Sequence, residues 1–433
     1  ALCGHGHNNR PVQAEDIPAV MGRSNLRAKA EEGGYNLVDV RMDSILFTER
    51  KSVSKNEKLW TKVAVQQHNY DLTKKYARPD FSINQKYPQV KSKWIFQSNA
   101  NVISTPAVIN NLVIFGNQNG VVQALALHTG KKVWSYKTAG PIFSSPAAST
   151  DKIVFGSADA YVHCLDTKGK KVWQLQTDGP VLGSPTMDSN VVYIGGSDHC
   201  FQAVELKTGK PIWRSCILNG PVVSKPVIYN NSIIFGAWDK NLYSLDKKTG
   251  KLLWKWNNGS SVINYSPASV IPVVHDDVVY VVAPDRYLSA IDANTGKTLW
   301  RTNEATVRES IGISGDGRFI YAKTMQDTVV AFNTTKEKTN AAWKVNAGYG
   351  YDHVPSMLIE KDSQIFFGTR SGVVYSVDAT TQKINWAYKI DNSMVNTVNV
   401  INSSSVIAST MDGKVTLLKI EYRTPPAKIN GSK

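Results

Sequence analysis

From about Lys91 to Ile420 short β-branched or aliphatic runs alternate with polar turns, and no helical periodicity interrupts them. Leu112-Val113-Ile114-Phe115 and Val121-Val122 flank Asn119-Gly120, the pattern of a tight hairpin. Two-residue turns recur in phase at Asp159-Ala160, Asp198-His199, Asp239-Lys240, Asp285-Arg286, Gln326-Asp327, Ser371-Gly372 and Asp412-Gly413. A second marker, Thr-Gly-Lys, stands at Thr129-Gly130-Lys131, Thr208-Gly209-Lys210, Thr249-Gly250-Lys251 and Thr295-Gly296-Lys297. Gly there supplies the positive φ that a hairpin needs. Eight Trp follow at 94, 134, 173, 213, 254, 300, 343 and 386. A third marker, Ser-Pro or its near relatives, opens the repeat at Pro106, Pro146, Pro185, Pro226, Pro267 and Pro355, where no ladder donor is lost.

Each unit of about 40 residues thus predicts four antiparallel strands, one propeller blade. Trp94 carries a fourth-strand signature without three preceding strands, whereas Met394–Ile420 supplies three strands and no Trp. The two ends therefore complete one blade, with Lys93–Phe96 against the last strand near Val415–Lys419. The predicted fold class is all-β, an eight-bladed β-propeller of four-stranded antiparallel blades over residues 92–420, with a tail at 421–433.

These markers resemble the pyrroloquinoline-quinone-like propeller repeats over about three quarters of the chain. WD40 repeats are disfavoured, because no unit pairs a Gly-His start with a Trp-Asp end. The resemblance implies an extracytoplasmic location, periplasmic or cell-surface. It raises quinone-dependent dehydrogenation as one activity. The dehydrogenases of that family carry a vicinal Cys pair and a calcium site, whereas the Cys here stand at 3, 164, 200 and 216, none adjacent. A quinone cofactor is therefore not expected, and Cys164, in a slot that is Ala124, Ala203, Ser244 and Ala290 elsewhere, reads as a small buried filler.

Residues 1–50 differ. Cys3-Gly4-His5-Gly6-His7-Asn8, then Ile17–Ser24 and Gly34–Val40, resemble the C-terminal segment of a calcineurin-like metallophosphoesterase, an α/β domain. The resemblance implies that His5 and His7 ligate a pair of divalent metals, Mn, Fe or Zn, acting on a phosphate ester. That family's Asp-x-His, Gly-Asp-x-x-Asp and Gly-Asn-His-Asp/Glu motifs are missing here, so no catalytic residue is assigned. Opening in mid-motif without Met, the chain reads as a piece of something longer: a propeller scaffold or binding module with no complete active site of its own, the alternative being a metal-dependent phosphoesterase whose remaining catalytic motifs lie upstream of Ala1. Residues 51–91 read as a connector with a short helix around Lys58–His68.

Fifty Lys and Arg against 35 Asp and Glu leave a net charge of +15. That favours acidic partners, but the charges scatter through turns and no nucleic-acid motif accompanies them. No apolar run approaches the ~18–20 residues of a spanning helix, so no transmembrane segment is expected.

Binding surface on a repeat protein is sought where the repeat departs from itself. Two residues before the opening Pro stand Ser104, Ser144, Gly183 and Ser224, then Tyr265, Ser310, His353 and Asn396. The departures predict a ligand-binding sector at Tyr265, Arg308, Glu309, Tyr351, Asp352 and His353, taking a protein, peptide or glycan. Finally, pairing across Lys207–Lys210 gives index sums of 416 or 417 depending on a bulge. Cys200 and Cys216 sum to 416, which predicts a cross-strand disulfide.

Overall fold

A computed structural model describes residues 2–3, 8–14, 17–23, 32–65 and 79–421. The chain divides into two units, Ala1–Pro79 and Asp80–Lys433.

Among the described residues the first unit contains strands only. Leu2–Cys3, Ile17–Met21 and Arg10–Ala14 form one three-stranded sheet; Gly34–Val40, Ser44–Lys51 and Glu57–Ala64 form a second. The last of these overturns the helix expected at Lys58–His68 and carries the unit past residue 50. Glu57–Ala64 pairs with Ser44–Lys51 over most of its length, and Leu59, Trp60, Thr61 and Val63 are aromatic, branched or aliphatic residues that suit a strand. The Trp60 indole N–H donates to Asn36 Oδ1 at 3.0 Å, tying that strand across the sheet. The described part of the expected connector thus belongs to this sheet up to Ala64, and the second unit begins at Asp80 with a one-turn helix, Ser82–Lys86.

The second unit is propeller-like. Its described residues form eight four-stranded antiparallel sheets, the first seven in simple sequential order. Sheet one is Ala107–Ile109, Leu112–Gly116, Val121–Ala126 and Lys132–Lys137. Sheets two to seven repeat it, and sheet eight takes Asn399–Asn402, Ser405–Ser409 and Lys414–Ile420 from one end of the unit and Val90–Gln97 from the other. The pairs Val415↔Phe96, Thr416↔Ile95 and Leu417↔Trp94 fix that junction.

The turns show why the pattern was readable. The second residue of each strand-two to strand-three turn has positive φ whether or not it is Gly, as at Ala160 (65°), His199 (60°) and Lys240 (75°). An Asp before it caps the turn: Asp159 Oδ1 accepts from the Tyr161 N–H and Asp239 Oδ1 from the Asn241 N–H, both at 3.1 Å. Inner strands are buried on both faces, Val278–Val282 throughout. Indole N–H groups join neighbouring sheets: Trp94 donates to Leu127 O, Trp134 to Thr167 O, Trp173 to Leu206 O, Trp213 to Lys247 O and Trp254 to Ala293 O, at 2.8–3.0 Å. Gly130, at φ 66°, lies on the Trp94 ring so closely that a Cβ would sit 2.6 Å from it. Only Gly gives both that backbone and that approach.

Candidate functional site

The regular sheets define a reference geometry. Ser104 Oγ donates to Gly116 O at 3.1 Å and accepts from its N–H at 3.2 Å; the Gly156 N–H donates to Ser144 Oγ at 3.1 Å and the Gly368 N–H to Ser356 Oγ at 2.8 Å. In sheet seven the equivalent of Ser104 is therefore Ser356, not His353. In sheet five Val273 pairs with Tyr280 as Ala107 pairs with Ile114, so Val270 and Pro272 hold the places of Ser104 and Pro106. Pro267 belongs to an insertion that forms two 3-10 turns, Ile263–Tyr265 and Pro267–Ser269. Two of the six positions aligned on Pro were thus displaced: Pro267 lies in an inserted turn, and Pro355 stands three residues before Leu358, which holds the place of Pro106.

The segments so exposed still lead toward one end of sheets six and seven. Arg308 and Glu309 lie in Val307–Ile313, whose pairing is irregular between Val307 and Ile311, and Glu309 has φ 59°. A buried Glu in the left-handed region is a strained position. Burial raises the pKa of its carboxyl, and the Arg308 charge opposes that rise; Arg308 Nε lies 3.2 Å from Glu309 Oε2. Tyr351 is half exposed, its ring tilted 35° to that of His353 with centroids 5.4 Å apart, and it lies under the Arg370 guanidinium at 5.9 Å. Burial lowers the pKa of His353, and the charges of Arg308 and Arg370 lower it further. The fields of Arg308, Arg370 and Lys323 thus all reach His353, which places these groups in one neighbourhood.

Asp352 is brought into this group but is spoken for. It is fully buried and accepts from Lys323 Nζ at 3.1 Å, the Val354 N–H at 3.0 Å and the Arg370 N–H at 2.8 Å. Lys323 Nζ donates also to Val354 O and Gly368 O, both at 3.1 Å, so all three ammonium protons are used. The pair joins sheet six to sheet seven, which corrects Asp352 from a ligand-binding to a structural residue. Tyr265 is not joined to the other five by any contact among the described residues; its carbonyl accepts from Asn258 Nδ2 at 3.2 Å, beside the Asp285–Arg301 ion pair of sheet five. Lys323 and Arg370 were missed. The signal for Lys323 was available, since it takes the place of Gly116, Gly156, Gly195, Gly236 and Gly368 in other sheets.

Cys200 and Cys216 form a disulfide, S–S 2.01 Å, beside the pair Phe201↔Ser215, the register with sum 416. Cys164 is a buried free thiol between Val154 and Trp173, its pKa pushed up to about 12 by burial. His5 and His7 lie outside the described residues. Among those described, no group of three or more His, Cys, Asp or Glu is placed to hold a metal, and no helix is long and apolar enough to cross a membrane.

Comparison with known proteins agrees with this geometry. BamB from Moraxella catarrhalis is 17% identical, with a TM-score of 0.62 over 78% of this chain and 99% of that one. A quinohemoprotein alcohol dehydrogenase from Comamonas testosteroni is 14% identical at TM-score 0.64, over 80% of this chain and 78% of that one. Sqt1 from Saccharomyces cerevisiae is 14% identical at 0.65, over 76% and 99%. Such identities show the fold alone. A search of curated proteins returned no match. The family model described as outer membrane protein assembly factor BamB matches residues 118–216 and 202–420, well over half of the sequence, and the chain belongs to that family.

Proposed function

We propose that this chain is a binding scaffold, its eight sheets acting as eight blades closed by the Val90–Gln97 strand, which docks a protein or peptide segment where sheets six and seven meet. One observation carries the reading: His353 Nδ1 is buried without a hydrogen-bond partner, next to an exposed Tyr351 and the Arg370 guanidinium. Arg308 balances Glu309 and Lys323 balances Asp352, leaving Arg370 as the uncompensated charge. An acidic side chain with an aromatic neighbour would satisfy Arg370 and stack on Tyr351. A glycan, which also stacks on Tyr, is the second occupant, favoured less because sugars bring no charge to Arg370. The family's description as an assembly factor supports protein docking, and the Cys200–Cys216 disulfide supports an oxidising, extracytoplasmic setting. The test is selection from a displayed peptide library. Selected peptides should be acidic and aromatic and should lose binding to Tyr351→Ala and Arg370→Ala; peptides indifferent to both variants would refute the site.

The first unit we read as the end of a metallophosphoesterase-like domain from its sequence, the Gly4-His5-Gly6-His7 run followed by Ile17–Ser24 and Gly34–Val40. This chain then holds no complete active site and, given manganese or zinc, hydrolyses phosphate esters no faster than a His5→Ala/His7→Ala control. Metal-dependent turnover lost in that control would overturn this.

A further inference from the structure

First-strand segments from all eight sheets line a cavity of about 830 Å³, within the ~300–1,000 Å³ typical of small-molecule sites. Around it the residue after the Ser104 position forms a relay. The Thr105 N–H donates to Ser145 Oγ, the Ser145 N–H to Ser184 Oγ, and the Met357 N–H to Thr397 Oγ1, each at 2.9 Å and each from one sheet to the next. A hydroxyl oxygen of the following sheet thus satisfies a backbone donor.

The relay fails after Ser184. The residue that should accept from the Ser184 N–H is Lys225, whose ammonium can only donate. Lys225 lines the cavity and, among the described residues, has no ion-pair or hydrogen-bond partner. Solvent in the cavity reaches its side chain, yet protein rings it closely, and the lost hydration lowers its pKa. The residue before it departs too: Ser224 is buried with its hydroxyl unpaired, where Ser104, Ser144 and Ser356 bond a glycine. Two donors and one positive charge therefore stand where sheets two, three and eight supply an oxygen; Ile271 and Met357 at the same position also carry no hydroxyl, but only Lys225 brings a charge there.

We propose that this cavity binds a small monocarboxylate with an apolar body, one carboxylate oxygen taking the place of the missing hydroxyl at the Ser184 N–H and the charge resting against Lys225. The apolar body lies against Phe143, Ile271, Ile311 and Met357, which share the lining. A dianion fits worse. Among the described residues that line the cavity there is one free cation, and Glu360, accepting from the Tyr321 hydroxyl at 2.8 Å, lines it too. The site is separate from the rim at Tyr351 and does not depend on that reading.

The probe is octanoate, titrated calorimetrically against octanol of the same length. Wild-type protein should bind octanoate at one site and octanol at least roughly tenfold more weakly. Lys225→Thr restores the hydroxyl of the repeat, so it should fold with an undiminished thermal midpoint while octanoate affinity falls at least roughly tenfold. Lys225→Arg keeps the charge and should retain binding within a few fold. No octanoate binding by wild type, equal binding of octanol, or unchanged affinity in Lys225→Thr would each overturn the proposal.

Discussion

Sheets one and two and sheets six and seven solve the same problem, holding one sheet against the next, by opposite means. At the end of the second strand sheet one has Gly116, whose missing side chain lets Ile142 of the next sheet pack onto the backbone; a Cβ would come within 2.2 Å of Ile142. Sheet two repeats this with Gly156 and Val181. Sheet six has Lys323, whose ammonium is buried against Asp352 of the segment entering sheet seven. The apolar junction costs nothing in desolvation and leaves no polar group to spare. The ionic one removes charges from water and stands near other polar groups, the Arg308–Glu309 pair and His353, whose Nδ1 has no partner. Regular repeats make a frame, and the place where the repeat is broken by charge is where chemistry for recognition accumulates.

The largest effect should come from the ionic junction. Asp352→Ala strands a buried ammonium and should cost about 3–5 kcal/mol in urea unfolding, while Lys323→Met combined with Asp352→Leu should recover most of that loss. A cost below about 1 kcal/mol for the single variant would remove the contrast with the glycine junctions. Next, in the frame, Cys200→Ser/Cys216→Ser opens a loop with sequence separation 16 and should lower stability by about 2–4 kcal/mol. Cys164, the buried free thiol among the described residues, should resist alkylation until the protein unfolds.

A smaller difference separates two tryptophans. Trp173→Phe leaves Leu206 O without its donor and should cost about 1–3 kcal/mol; Trp386→Phe deletes an indole N–H that has no partner and should cost less. Equal losses would mean that the inter-sheet hydrogen bond contributes nothing beyond ring packing. The smallest effect is a pH dependence. The pKa of His353 is below its ordinary value because burial disfavours the imidazolium. Its contribution to stability is therefore present above the unfolded value of ~6.5 and lost as pH falls through the folded one. His353→Gln should flatten the decline of stability on the acid side of pH ~6.5; a steeper decline would contradict the assignment.

Much of this frame was legible because its signals are local. A two-residue turn needs positive φ, a Thr-Gly turn needs room for a ring, and hairpin register follows from counting, which is how Cys200 met Cys216. The breaks in the repeat were legible as composition but not as geometry. Pro267 and Pro355 imitate strand-opening prolines, and only the pairing of Val273 with Tyr280 and the bond from Gly368 to Ser356 show which residues hold those positions. Long-range partners leave no trace in spacing, so Asp352 read as a free carboxylate until Lys323, 29 residues earlier, was seen to reach it. The stretch around Lys58–His68 read as a helix because the partner of the strand Glu57–Ala64, Ser44–Lys51, lay across the expected domain boundary.

The division into frame and recognition sector is tested most directly by measuring, for one library-selected peptide, its affinity for wild type and for two double variants. Tyr351→Ala/Arg370→Ala alters the sector; Lys137→Ala/Arg214→Ala removes two exposed cations from the fourth strands of sheets one and three. The account predicts at least roughly a tenfold loss in the first and a change within about twofold in the second. Equal losses in both, or a loss confined to the frame variant, would contradict it.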